Sequence, residues 1–200
     1  MKRPLTQKEL ARRLWLAAGI SLVLLLLLMP GLHSLEDSLT LAENKQNIAQ
    51  TTKRLEETLV TTTVLLSDNE QGLLLSSHRF SFPSGWSPNF SIFLDYGSEN
   101  TPVWAGYTNG SVWEGCLVFG VTTLEEAVSF RATDGLTDQG GGVHSCDDIL
   151  TGPIHRDRNG FACFLAWVPF GEGNSVLWFQ TLELLDENGQ VLYTGPLPQQ

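Results

Sequence analysis

Hydrophobic and polar positions divide this chain into three textures. Residues 14–29, LWLAAGISLVLLLLLM, form an uncharged run of sixteen. As a helix this run spans roughly 24 Å, and continuing through Pro30 and Gly31 to Leu32 brings it to about 28 Å, near the ~30 Å of a bilayer core. The pattern predicts a transmembrane helix over 14–32. A cleaved signal peptide has an apolar region of about 7–15 residues and a small-x-small cleavage site. Leu32-His33-Ser34 puts Leu where a small residue belongs, so the expectation is an uncleaved signal anchor.

The second texture covers 34–66, SLEDSLTLAENKQNIAQTTKRLEETLVTTTVLL. Leu41, Ile48 and Leu55 recur every seven residues, with Leu59 and Leu66 beside them. This spacing predicts an amphipathic stalk helix over 34–66, opened by Ser34 and Asp37 in a capping-box arrangement. The seam is thin, because Asn44, Lys45, Thr51, Thr52, Thr58 and Thr62 fill much of the remainder. The stalk is either a solvated spacer or a docking helix for another membrane protein through Leu41, Ile48, Leu55 and Leu59. Its threonine-rich end, TLVTTTVLL, suits a strand equally well. Residues 67–72, which include Asp68-Asn69-Glu70-Gln71-Gly72, read as a linker.

From residue 73 the period shortens to two. FSIFLDY (90–96), SVWEGCLVFG (111–120), FACFLAWV (161–168) and SVLWFQTLELL (175–185) are predicted strands. Turn signals separate them at 83–85, 108–110, 158–160 and 187–189, and Asn188-Gly189 marks a hairpin. A short helix is expected at TTLEEAVSF, capped by Thr123 and Glu126. The fold class predicted for 73–200 is a mainly antiparallel β domain, sandwich- or barrel-like, or α+β with the long helix packed on a sheet.

Charge adds compartment. Residues 1–13 carry Lys2, Arg3, Lys8, Arg12 and Arg13 against Glu9, so this basic tail stays cytoplasmic and the remainder is exported. The net charge is −10; removing the tail's +4 leaves −14 for 14–200. From Glu70 onward there are fifteen acids and four arginines. Nucleic acid is excluded as a partner, since its phosphates need a basic patch.

The densest chemistry lies in VHSCDDILTGPIHRDRNGFAC, 143–163. His144, Cys146, His155 and Cys163 do not supply two close ligand pairs, so no zinc site is read. An exported chain meets an oxidising compartment, and a Cys146–Cys163 disulfide would close a sixteen-residue loop, a stabilisation of about 3 kcal/mol on the chain-entropy model. Cys116 is left over, as a buried small hydrophobe or as an alternative partner. Asp157-Arg-Asn159-Gly160 and Asp186-Glu-Asn188-Gly189 are explained as turns, since neither completes a calcium loop. No nucleophile elbow, zinc-protease or phosphate-loop motif occurs; the chain is not read as an enzyme, and no metal or other cofactor is implied. Trp86, Trp104, Tyr107 and Trp113 are either sugar-stacking residues or β core.

A hydrophobic N-terminal helix, an amphipathic continuation, an antiparallel sheet and a late Cys pair together resemble a type IV pilin or pseudopilin in layout. That family's leader ends in Gly before a hydrophobic stretch with Glu at its fifth position; Gly19 is followed by ISLVL, with no Glu. The layout also resembles the bitopic assembly subunits of pilus and secretion machines. The expected function is that of a single-pass, membrane-anchored interaction or assembly protein of the cell envelope, in the inner membrane with its C-terminal domain outside the cytoplasm. The alternatives are a periplasmic or surface glycan-binding β module and a divergent pilin-like subunit.

Overall fold

The computed structural model describes residues 7–28, 32–59, 61–97, 101–133, 135–139, 142–146, 150–157, 161–170 and 177–200. Two helices come first, α1 (Gln7–Leu28) and α2 (Leu35–Gln46). An antiparallel meander follows, of β1 (Thr52–Leu59), β2 (Thr62–Asn69), β3 (Gly72–Ser81) and β4 (Gly85–Asp95). The chain continues through β5 (Val103–Gly110), β6 (Gly115–Thr122), β7 (Ser129–Thr133), β8 (Gly135–Gln139), β9 (Gly142–Cys146), β10 (Leu150–Pro153) and β11 (His155–Arg156). It ends with β12 (Ala162–Pro169), β13 (Leu177–Trp178), β14 (Thr181–Leu185) and β15 (Val191–Pro196).

Three four-stranded antiparallel sheets stack face to face. The meander is the first; β11-β12-β6-β5 is the middle sheet, β10-β7-β14-β15 the third, and β13-β8-β9 a smaller ribbon. Alternation on β6 shows why the middle sheet sits between two cores. Leu117, Phe119 and Val121 point toward Val64, Leu66, Leu73 and Leu75 of the meander. Cys116 and Val118 point the other way, toward Phe130, Leu182 and Leu184 of the third sheet. Successive strand residues face opposite sides, so both sets are buried and the strand reads as the unbroken run CLVFGV. The same holds on β12, where Phe164 faces the third sheet and Cys163 and Leu165 face the meander.

The outer face of the meander is covered by α2. Leu39 meets Leu65 and Leu74, with Leu35, Ile48 and Phe93 around them. The alternatives expected from sequence, sandwich or helix-on-sheet, are therefore combined: a β sandwich of stacked sheets with one helix packed outside.

Several sequence expectations are corrected. The stalk helix ends twenty residues early. Asn47 takes the left-handed conformation (φ 55°, ψ 42°), and its N–H donates back to the carbonyls of Asn44 and Glu43. The Thr-rich half then pairs as a hairpin, with Leu55 opposite Leu66 and Leu59 opposite Thr62. β-branched residues favour a pleated surface, and here that preference prevails over the heptad spacing. The linker expected at 67–72 is the end of β2, a tight turn at Glu70-Gln71 and the first residue of β3. No helix forms at TTLEEAVSF. The Thr123 N–H donates to Pro102 O (2.9 Å), and the carbonyls of Leu124 and Ala127 accept from the Arg156 guanidinium (2.6 and 2.9 Å). Thr108-Asn109-Gly110 lies within β5 rather than in a turn; the turn follows at 111–114.

The hairpin at 185–191 forms as expected, but only Gly189 has positive φ (+78°). The Asp186 carboxylate accepts from the N–H groups of Asn188 (2.9 Å) and Gln190 (2.7 Å), fixing a three-residue loop. Among the described residues, no helix is long and apolar enough to cross a membrane. The uncharged part of α1, Leu14 to Leu28, is about 22 Å long at 1.5 Å per residue, and residues 29–31, which the longer count requires, lie outside the described residues.

Candidate interaction site

The four stalk positions do not share a face. Leu41 is exposed on α2. Ile48 follows that helix and packs against the Leu39 cluster, while Leu55 and Leu59 lie on β1 against the core between meander and middle sheet. The single seam implied by their seven-residue spacing does not exist, because the chain changes from helix to strand between Ile48 and Leu55.

Nor is the expected Cys146–Cys163 bridge formed. Cys163 is a buried free thiol on β12 in the middle sheet, and Cys116 is a second buried free thiol on β6. Strand β9, which carries Cys146, belongs to the separate ribbon and pairs Cys146 with Gly135. The side chains of His144 and Cys146, and residues 147–149 and 158–160, lie outside the described residues. Burial pushes the Cys116 thiol up to about 12. Burial likewise raises the Cys163 thiol, to about 11, with the Arg54 charge opposing and the Asp68 and Asp157 carboxylates adding to the rise. Both thiols are therefore protonated at neutral pH, and neither is a ready thiolate nucleophile. Among the described residues, no group of three His, Cys, Asp or Glu side chains could hold a metal ion.

Arg54 stands beside Cys163 in a charged seam between the two sheets. From β1 its Nε donates to Asp68 of β2, and its Nη1 donates to Asp157, just past β11. The guanidinium also lies 4.7 Å from the centre of the Phe161 ring. Asp157 in turn accepts from the Phe161 N–H (3.0 Å). Asp68 is almost wholly buried, and the Arg54 side chain is 19% exposed. Burial alone would pull the Arg54 pKa down; the Asp68 hydrogen bond and the charges of both carboxylates outweigh it, and the pKa is raised. One cation shared by two carboxylates from different sheets is a clamp. Local pattern does not predict it, because its members lie 14 and 103 positions apart.

A second polar device lies between α2 and the meander. Ser38 Oγ bonds His78 Nδ1 (2.6 Å), and His78 Nε2 bonds Ser76 Oγ (2.8 Å), all buried. Burial lowers the His78 pKa to about 4. The imidazole is neutral at pH 7, and each ring nitrogen has a hydroxyl partner. With no solvent access, this chain of three positions the helix rather than activating a nucleophile. Nearby, the buried Glu43 carboxylate accepts from the Thr51 N–H (2.6 Å) and hydroxyl (2.7 Å), closing the α2–β1 loop.

The four proposed sugar-stacking aromatics separate. Tyr107 and Trp113 are core residues. Trp104 is half-buried, with its indole N–H donating to Tyr96 O (3.0 Å). Trp86, also half-buried, lies at the β3–β4 turn against Phe80. An open cleft of about 420 Å³ has Trp104, Tyr193, Asp95, Thr101 and Gln200 in its walls.

The fourth surface is α1. Every residue from Gln7 to Leu24 is exposed, and among them Leu14, Leu16, Ile20, Leu22, Val23 and Leu24 are each more than half exposed. From Leu14 to Leu24 the protein's own β domain leaves this apolar stretch uncovered.

No family model matches the chain, and no characterised protein or solved structure does so either.

Proposed function

We propose that this protein is a single-pass, N-in membrane protein of the cell envelope whose acidic β domain, outside the cytoplasm, binds other envelope proteins during assembly of a larger machine. The uncovered apolar surface of α1 carries the reading. A helix apolar on all sides is stable only when surrounded by other apolar matter, and the basic residues before it orient it by the positive-inside rule. The domain supports a binding role: the buried groups at Arg54, His78 and Glu43 tie its own elements together, and its surface is strongly anionic. The stacked sheets, with the clamp at Arg54 and the hydroxyl–imidazole chain at His78, make a rigid platform. Partner specificity belongs to that platform, since the heptad stripe does not form.

The test is membrane fractionation of the full chain with a reporter fused after Gln200. The expected result is a chain that resists carbonate extraction, keeps Met1 or its immediate neighbours as mature N-terminus, and gives a reporter active outside the cytoplasm. Co-purification from detergent should yield partners in fixed stoichiometry. A mature N-terminus between Gly31 and Leu35 would overturn the anchor.

The cleft beside Trp104 favours a second reading, a glycan-binding module. Its walls combine two half-buried aromatic rings with the carboxylate and amide of Asp95 and Gln200, the mixture of flat apolar and polar groups that a sugar requires. Binding on a glycan array, lost in Trp104→Ala, would support it; a silent array would remove it.

A further inference from the structure

The β3–β4 hairpin ends in Phe80-Ser81-Phe82-Pro83-Ser84-Gly85-Trp86. Phe80 is 49% exposed and Phe82 66% exposed, and Trp86 lies edge-on against Phe80 with ring centres 5.6 Å apart. Three aromatics at the end of one hairpin are a poor surface to leave in water. Their position is fixed by an unusual attachment. The His33 N–H donates to Ser84 O (3.2 Å) and the Trp86 N–H to His33 O (2.9 Å), so the chain entering α2 is strapped to this turn. Gly85 permits that approach, since a Cβ there would lie 2.5 Å from both the nitrogen and the oxygen of His33. Five residue steps separate His33 from Leu28, the last residue of α1, and five steps of chain reach at most about 18 Å. The aromatic turn is thus held close to where the apolar helix ends.

Charge selects the same place. Residues 71–94 contain no Asp or Glu, in a chain whose residues 14–200 sum to −14. Arg79, exposed beside Phe80, is the one formal charge of that stretch. We propose that the β3–β4 turn is a membrane-interface contact, with Phe80 and Phe82 seated among the headgroups and upper acyl chains of the outer leaflet and Arg79 facing lipid phosphate. Trp favours this depth, Phe on an apolar face seats at the headgroup–acyl boundary, and a cation next to them suits phosphate. The occupant is lipid: covalent continuity with α1 brings the bilayer to the turn, and the hairpin itself adds no acid there, the neighbouring Glu36 and Asp37 belonging to the first turn of α2. The domain would then be held against the membrane at two points, α1 and the turn. This inference rests on α1 being inserted.

The test uses the full chain reconstituted in vesicles of phosphatidylcholine and phosphatidylglycerol. These carry a trace of phosphatidylcholine with a photoactivatable diazirine high in the acyl chain, and adducts are mapped by mass spectrometry after irradiation. Adducts are expected on α1 and within residues 80–86. The double variant Phe80→Ser/Phe82→Ser changes two exposed side chains; it should lose the adducts at 80–86 several-fold while keeping those on α1. Adducts on α1 with none at 80–86 would overturn the contact and leave the anchor standing, and the same holds if a second copy of the chain shields the turn. Adducts at neither place would overturn the anchor, and the proposal with it.

Discussion

Ser38 on α2 and His78 on β3 are joined by a buried hydrogen bond of 2.6 Å, and the burial of that imidazole makes the helix–sheet contact sensitive to acid. The folded pKa of His78 is about 4, against 6.5 for the free side chain. The folded protein therefore resists a proton that the unfolded chain accepts. The stability is fully present above pH 6.5 and is lost as pH falls toward 4, by about 3 kcal/mol for a shift of this size. Urea midpoints of wild type should drop between pH 7 and pH 4.5 by more than those of His78→Gln, which has nothing to titrate. Equal drops would overturn the assignment.

Arg54→Ala leaves the buried Asp68 carboxylate without its cation. An exposed pair is worth about 0.5 kcal/mol and breaking a buried one costs ~3–5 kcal/mol. Arg54 is partly open to solvent, so the expected loss is about 2 kcal/mol, read from urea unfolding. Arg54→Lys should recover less than half of it, because an ammonium cannot hold two carboxylates in a planar fork or lie flat on Phe161.

Cys116 and Cys163 should both resist a maleimide at pH 7.5 in the folded protein and both react after denaturation. Their thiols are buried and protonated. Mass mapping without reductant should find Cys163 unmodified. A crosslinked peptide joining Cys146 to Cys163 would overturn this and restore the disulfide expected from the compartment.

Gly85→Ala should release the strap at His33. Its φ of +82° is strained for any residue with a Cβ, and that Cβ would meet the His33 backbone at 2.5 Å. A left-handed non-glycine residue costs roughly 1–2 kcal/mol before any clash. Limited proteolysis should show faster cleavage near residues 32–35, with the far-UV spectrum of the sheets unchanged.

The sequence shows the β character of the domain and the hairpin at Asn188-Gly189 because those signals are local. Alternation in FSIFLDY and the turn chemistry of Asp186 to Gly189 do not depend on what packs above them. The triple leucine of β3 carries no period-two signal for a definite reason: that strand is buried on both faces, Leu73 and Leu75 on one and Leu74 on the other, so both sets of side chains are apolar. The heptad of Leu41, Ile48 and Leu55 misleads because α2 ends at Gln46 and β1 begins at Thr52, so the three residues lie on a helix, a loop and a strand. Asn47 and the threonines after Gln50 are the residues that mark the change. Thr123 to Phe130 reads as a capped helix, yet its backbone groups are taken by Pro102 and Arg156, partners 21 or more positions away. The Arg54 clamp is invisible for the same reason, since neither carboxylate is near it in the chain.

Because β6 serves two cores at once, its register is checked from both sides. A slip of one residue would turn Leu117 and Phe119 toward the space filled by Cys116 and Val118 and send those smaller groups to the opposite face. One interface would be overfilled and the other hollow in the same event, so no partial error is cheap. The middle strand thus acts as a proofreading gauge for the whole stack, and conservative exchanges on it should be the least forgiving in the domain.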